Sequence, residues 1–239
     1  MAAKIRRLDG WLAGNGPGQD QRDYNIRMLP RALVPLPNTY MAMEKPPILD
    51  QGSTSKCVAF ASAGVKSVQE WRQYQHLYRF NADWLYQQCK KQDGIPYQPG
   101  TYPRISCDVM LKQGMQLSGC RQKPDLKWGI DGYYGVTVNN TDEEIKNTIF
   151  QYGPILVAGW WYDNWMGKFS VFPDPGNKNG GHCWYKIGWT LDGWIEVNSW
   201  GPLLWGGWAT GGMSVMKYSM FRSVVLPDGD TWKLIDKVM

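Results

Sequence analysis

Regular spacing of apolar residues begins at position 58. Phe60, Val65, Val68 and Trp71, with small alanines between them, recur at helical intervals and predict a buried helix over residues 58–71. A second helix is expected over residues 82–91, with Asn81 as its N-cap and Trp84, Leu85 and Cys89 on nearby faces. Turns at Asp93-Gly94 and Gln98-Pro-Gly100 lead to a third helix, which Pro103 can start and Gly114 can end. Thr141-Asp-Glu-Glu144 has the form of a capping box, and Ile145, Ile149 and Phe150 follow it as far as Gly153-Pro154. Beyond that point the pattern changes. Short β-rich runs at 155–159, 183–189, 193–197 and 213–217 are separated by turns such as Asp192-Gly193. Residues 1–40 have weak periodicity and much Gly, Pro, Asn and Arg, and read as an extended arm. Residues 224–239, with a Pro227-Asp-Gly229 turn, read as a closing strand or hairpin. The chain therefore divides into an arm (1–40), a body (41–223) and a C-terminal extension (224–239). The body is α+β, with a helical first half and a strand-rich second half. No internal repeat is visible.

Composition narrows the function classes. The 239 residues are enough for one domain or two lobes around a sizeable core. The net charge of +5 is mild, and no run of five like charges occurs, so nucleic-acid binding is not expected. No apolar stretch has the length of a membrane span or of a signal peptide; the expected location is cytoplasmic or virion-associated. Several of the 14 tryptophans cluster in Trp160-Trp-Tyr162, Trp165, Trp184-Tyr185 and Trp189. Core packing explains them, and a groove that stacks on rings is the sharper alternative. Five cysteines without CxxC spacing and only two histidines make a zinc site improbable, and no cofactor is expected. The arm cannot form a core of its own. If ordered, it must lie on the body or on a larger protein assembly, which Arg6, Arg7, Arg22, Arg27 and Arg31 could help to hold.

Four residues suggest a thiolate acyl-transfer site. Cys57 opens the first predicted helix, where unpaired N–H groups and the helix dipole favour thiolate over thiol. His182 could hold the proton, the side-chain carbonyl of Asn198 could fix the ring, and Gln51 could donate to a developing oxyanion beside the Cys57 N–H. A lone Cys57 would more often be a packing residue. Asp163 and Asp192 are alternative orienters in turn-like contexts. His76 has no partner motif, which leaves His182 as the candidate base.

The motifs Gln51-Gly-Ser-Thr-Ser-Lys-Cys57, Gly180-Gly-His182 and Asn198-Ser-Trp-Gly201 resemble those of the papain-like (C1-type) cysteine peptidases. Gln51 stands six positions before Cys57 and Asn198 sixteen after His182, in the family's order and spacing. The resemblance covers roughly residues 46–221 and looks closer to the microbial and viral branch without a long pro-domain. It implies a two-lobed fold with the Cys on a helical lobe and the His and Asn on an antiparallel β-rich lobe. It also implies hydrolysis of protein or peptide amides, cell-wall peptides included, through a Cys57 thioester. Gly180, Gly181, Cys183 and Trp200 are implied at the substrate cleft, with Trp200 shielding the Asn–His bond. The arm is too short for the inhibitory pro-domain of secreted relatives. Val58, where papain has Trp, and Lys56, where a small residue is common, depart from the pattern. A structural or assembly role, for example in a phage virion, is the alternative.

Overall fold

The computed structural model describes residues 8–13, 24–31, 34–207 and 211–237. In chain order the elements are β1 (Tyr40–Met41), α1 (Cys57–Tyr74), α2 (Ala82–Lys90), α3 (Pro103–Gln113), β2 (Ile130–Gly135), α4 (Asp142–Tyr152), β3 (Ile155–Tyr162), β4 (Lys178–Trp189), β5 (Gly193–Val197), β6 (Met213–Lys217) and β7 (Asp230–Asp236). The strands form one seven-stranded antiparallel sheet in the order β2-β7-β3-β4-β5-β6, with β1 paired to β4.

Local sequence accounts for where the helices begin. The Asn81 side chain accepts the Trp84 N–H at the start of α2, and Pro103 stands in the first turn of α3, where it needs no hydrogen bond. At α4, Thr141 accepts the Glu144 N–H while the Glu144 carboxylate accepts the Thr141 N–H, closing the capping box.

The sheet is buried on both faces, and its period of two sorts side chains between two apolar clusters. Leu156 and Ala158 of β3, Cys183, Tyr185 and Ile187 of β4, and Trp232 and Leu234 of β7 face the helical lobe of α1, α2 and α3. Ile155, Val157, Trp161, Trp184, Trp189 and Trp194 face the other cluster with Ile145 and Ile149 of α4. Seven tryptophans are fully buried, which settles most of the aromatic enrichment as core.

The C-terminal segment differs from the expected appended hairpin. β7 lies inside the sheet between β2 and β3, and its charged residues bind the lobes together. Lys66 of α1, fully buried, pairs with Asp236 and Glu70 and donates to the Gly129 carbonyl at 2.8 Å. Lys233 donates to the Tyr152 and Pro154 carbonyls at the end of α4. The last strand is thus part of the body, because long-range pairing of this kind leaves no local mark in the sequence.

Of the two places expected for an ordered arm, the described residues take the first. Its described segments, 8–13, 24–31 and 34–40, lie on the protein's own body. Residues 24–31 dock on α4: Ile26 and Leu29 are buried in the second apolar cluster, and the Tyr24 carbonyl accepts the Gly135 N–H. The Glu144 carboxylate accepts from Arg27 at 3.1 Å and Arg31 at 2.7 Å, Asn25 pairs with Asn140, and Tyr152 donates to the Pro30 carbonyl. Any contact of Arg6, Arg7 and Arg22 with an assembly falls outside the described residues.

Burial pulls the Glu144 pKa upward, but the Thr141 N–H, the Asn140 amide and Arg27 outweigh it and hold the carboxyl at about 2. Because the folded value lies below the ordinary 4.5, this contribution to stability is complete above about 4.5 and is lost as pH falls towards about 2. Melting temperatures of the wild type and Glu144→Gln between pH 6 and pH 2 should therefore differ most at the upper end and converge at the lower. A constant difference would show that Glu144 does not titrate in this way.

Candidate active site

Cys57 is the first residue of α1 and is fully buried. The helix has no side-chain cap, so its first N–H groups are left for the thiol: Cys57 and Val58 both donate toward Sγ, as does the Cys183 N–H from β4. These contacts favour thiolate, as expected of a helix N-terminus. Burial is nevertheless the larger effect and pushes the thiol up to about 12, with the Asp9 carboxylate adding to the rise. Lys56 does not counter it. Its ammonium is engaged with Asp83 at 2.6 Å.

His182 sits in β4, fully buried, with Nε2 hydrogen-bonded to Asn198 Oδ1 at 2.7 Å. Asn198 follows β5, and its Oδ1 also accepts the Ser199 N–H at 2.7 Å, which fixes the way the amide faces. With Nε2 engaged, proton exchange with a thiol falls to Nδ1. Trp200 and Trp161 pack on the imidazole at 4.7 and 4.8 Å, and Trp184 lies parallel to it at 6.3 Å. This apolar jacket excludes water and strengthens the His–Asn bond. Trp200 is fully buried against the ring, so its place is behind the cleft. The alternative orienters stand elsewhere, Asp163 in the turn after β3 and Asp192 in the turn between β4 and β5. His76 is exposed beyond the end of α1, against Tyr78.

Gln51 lies in the loop that leads into α1 and is held at both ends of its amide. Its Nε2 donates to the Thr54 carbonyl at 2.7 Å, and its Oε1 accepts from Ser199 Oγ at 2.7 Å. The second Nε2 hydrogen is the one that can serve an oxyanion. Ser199 was not singled out by sequence reasoning, although it stands within the Asn198-Ser-Trp motif. Its backbone carbonyl also accepts the Gln51 N–H at 2.8 Å, so one residue ties the oxyanion donor to the histidine's orienter.

The cleft between the lobes is occupied by the chain's own residues 8–12. A Cβ at Gly10 would lie 2.5 Å from Cys57 Sγ. The Leu8 carbonyl accepts the Gly181 N–H at 2.6 Å on one wall. On the other, the Gly10 carbonyl accepts the Thr101 N–H and the Leu12 N–H donates to the Thr101 carbonyl. Trp11 is buried and meets Trp160 edge to face at 5.7 Å. Gly180 and Gly181 are close to Leu8 and Trp11, where any Cβ would clash. Among the described residues no group of three or more His, Cys, Asp or Glu could hold a metal ion, and no helix is long and apolar enough to cross a membrane.

The same architecture is found in solved cysteine proteases. Xylellain, a cysteine protease from Xylella fastidiosa, superposes with a TM-score of 0.78 over 100% of both chains at 19% identity. The chain has the papain-like fold of the C1-type cysteine peptidases. A cysteine protease from Carica candamarcensis shares the papain-like architecture with a TM-score of 0.66, at 18% identity over 85% of this chain and 100% of that one. In sequence, a cysteine protease of Blomia tropicalis is 25% identical over an alignment of 196 positions that covers 69% of this chain and 55% of that protein. The chain thus spans about half the length of that relative. No family model matches the sequence.

Proposed function

We propose that the protein is a cysteine endopeptidase in which Cys57 is the nucleophile and His182 the general acid and base. The observation that carries this reading is the convergence of Cys57, the His182–Asn198 pair and the Ser199-held Gln51 on one cleft. That cleft already binds an extended peptide through main-chain hydrogen bonds to Gly181 and Thr101. The thiol proton passes to His182 Nδ1, and Sγ attacks the amide carbonyl. The oxyanion is met by the Cys57 N–H and Gln51 Nε2, and His182 then gives the proton to the leaving amine. Water, deprotonated by His182, hydrolyses the thioester and restores the thiol. Asn198 holds the ring in register for both transfers.

A fluorogenic peptide series tests the assignment. Gln51→Ala removes a donor that acts mainly in the transition state, so kcat should fall by about 10²- to 10³-fold with KM nearly unchanged. A rise in KM at constant kcat would assign Gln51 to substrate binding instead.

A further inference from the structure

We propose that Lys56 is a specificity-determining residue, and that its ammonium selects substrates with an acidic side chain on the residue that supplies the scissile carbonyl. The proposal rests on the cysteine-peptidase reading for the way a substrate lies in the cleft, and it names the substrate class of that site.

The oxyanion donors fix where that residue goes. The Cys57 N–H and Gln51 Nε2 both belong to residues 51–57 on the helical lobe, whereas His182, which serves the leaving amine, stands on β4. A carbonyl held by those donors brings its own residue against the 51–57 segment. Between Gln51 and Cys57 that segment has one charged side chain, Lys56. The side chain is not used to cap α1. Its ammonium lies 5.8 Å from the centre of the Tyr86 ring, and the Tyr86 hydroxyl accepts the Gly100 N–H at 3.2 Å. Gly100 precedes the Thr101 backbone that lines the cleft, so Lys56 stands on the same wall.

A carboxylate reaches this corner from a main chain lying in the cleft. Asp9 adjoins Gly10, the residue that approaches Sγ, and it accepts a hydrogen bond from Ser55 Oγ, one position before Lys56. Its charge opposes ionisation of the Cys57 thiol. An acidic substrate side chain would do the same unless a cation beside the nucleophile offset it, and Lys56 is that cation. Its present partner is exchangeable. In the Lys56–Asp83 pair the Asp83 side chain is 60% exposed and that of Lys56 29%, and an ion pair facing water contributes little. Asp83 also stands in the first turn of α2, where the helix dipole favours a carboxylate without help from the lysine. A carboxylate arriving from the drier side of the cleft therefore competes with Asp83 on favourable terms. Glutamine in the same place has nearly the shape of glutamate without its charge, and gains none of this.

Peptide pairs that differ only in Glu or Gln at the residue supplying the scissile carbonyl test this on the full-length protein. At low salt kcat/KM for the Glu peptide should exceed that for the Gln peptide by about three- to tenfold, and the difference should fade as salt is added. Lys56→Met should abolish the preference and Lys56→Glu should reverse it, with the Gln peptide turned over within about twofold of the wild-type rate. Asp83→Asn should enlarge the preference, because the lysine loses its resident partner. A wild type without the preference, or a Lys56→Met variant that keeps it, would overturn the proposal. Alkylation of Cys57 by anionic iodoacetate and by neutral iodoacetamide, followed by peptide mass mapping, gives a second reading that needs no turnover. The iodoacetate-to-iodoacetamide rate ratio at Cys57 should drop about threefold or more in Lys56→Met, while the ratio at exposed Cys120 stays as in the wild type. An unchanged ratio at Cys57 would overturn the proposal as well. If that ratio drops but no peptide is hydrolysed, the peptidase reading fails and the selection of charge at the thiol stands.

Discussion

Cys57→Ala is expected to abolish amide hydrolysis, by on the order of 10⁴- to 10⁶-fold in kcat, while leaving the melting temperature within about 2 °C of the wild type. The activity loss follows from the proposed chemistry, in which the Cys57 thiolate forms the acyl intermediate. Cys183, on β4, is fully buried in the same apolar cluster, and burial holds its thiol well above its ordinary pKa. The small stability change follows from the size of the deletion. One sulfur leaves a fully packed position, and with it goes a thiol whose ionisation the site opposes. Peptide turnover and thermal melts of the same preparation check both halves. Residual turnover within a hundredfold of the wild type would move the nucleophile elsewhere. A Tm loss of 10 °C or more would make Cys57 a core residue first.

Local pattern made some elements legible and left others hidden. The four main helices were readable because each has its own start signal: Cys57 after a turn, Asn81, Pro103 and the Thr141–Glu144 box. Four strands of the second half stood out as apolar runs between turns. β2 did not, because Asp131 and Gly132 interrupt it; for β7 the strand is legible but its place between β2 and β3 is not, because that pairing is made at long range. The residues of the site were named by motif and spacing, and the structure brings Gln51, Cys57, His182 and Asn198 to one cleft. Two things lay beyond that reading. A helix N-terminus taken alone favours thiolate, whereas burial is the larger influence on Cys57 and opposes it. Within residues 8–12 the apolar residues packed on the body, Trp11 and Leu8, are too few to produce a period. Their partners, Trp160 and Gly180-Gly181, are more than 140 positions away, so no local rule could have joined them.

Glu196→Leu should cost about 3–5 kcal/mol of stability, the usual consequence of removing one member of a buried ion pair. Lys186 on β4 and Glu196 on β5 are both fully buried and directly paired, and Glu196 also accepts the indole N–H of Trp184 at 3.0 Å. The Lys186 ammonium lies over the rings of Phe221 at 3.9 Å and Trp194 at 4.7 Å. Burial lowers the Lys186 pKa to about 8, and the Glu196 carboxylate is what keeps it from falling further. Taking the carboxylate away leaves a cation with only ring faces for company and an indole donor without an acceptor. For a chain of this length the loss corresponds to roughly 10 °C in Tm. The deficit should shrink as pH rises. Without Glu196 the folded Lys186 value falls below about 8, so the variant starts to gain stability at a lower pH than the wild type, and the gap narrows as pH rises towards about 8. The double variant Lys186→Met/Glu196→Leu, which removes both charges at similar volume, should recover most of the loss. A single variant that melts with the wild type would show that the pair is dispensable. A double variant no better than the single would place the cost in the Trp184 hydrogen bond. Because Trp184 lies parallel to His182, that last outcome would also appear as lowered turnover in whatever protein remains folded.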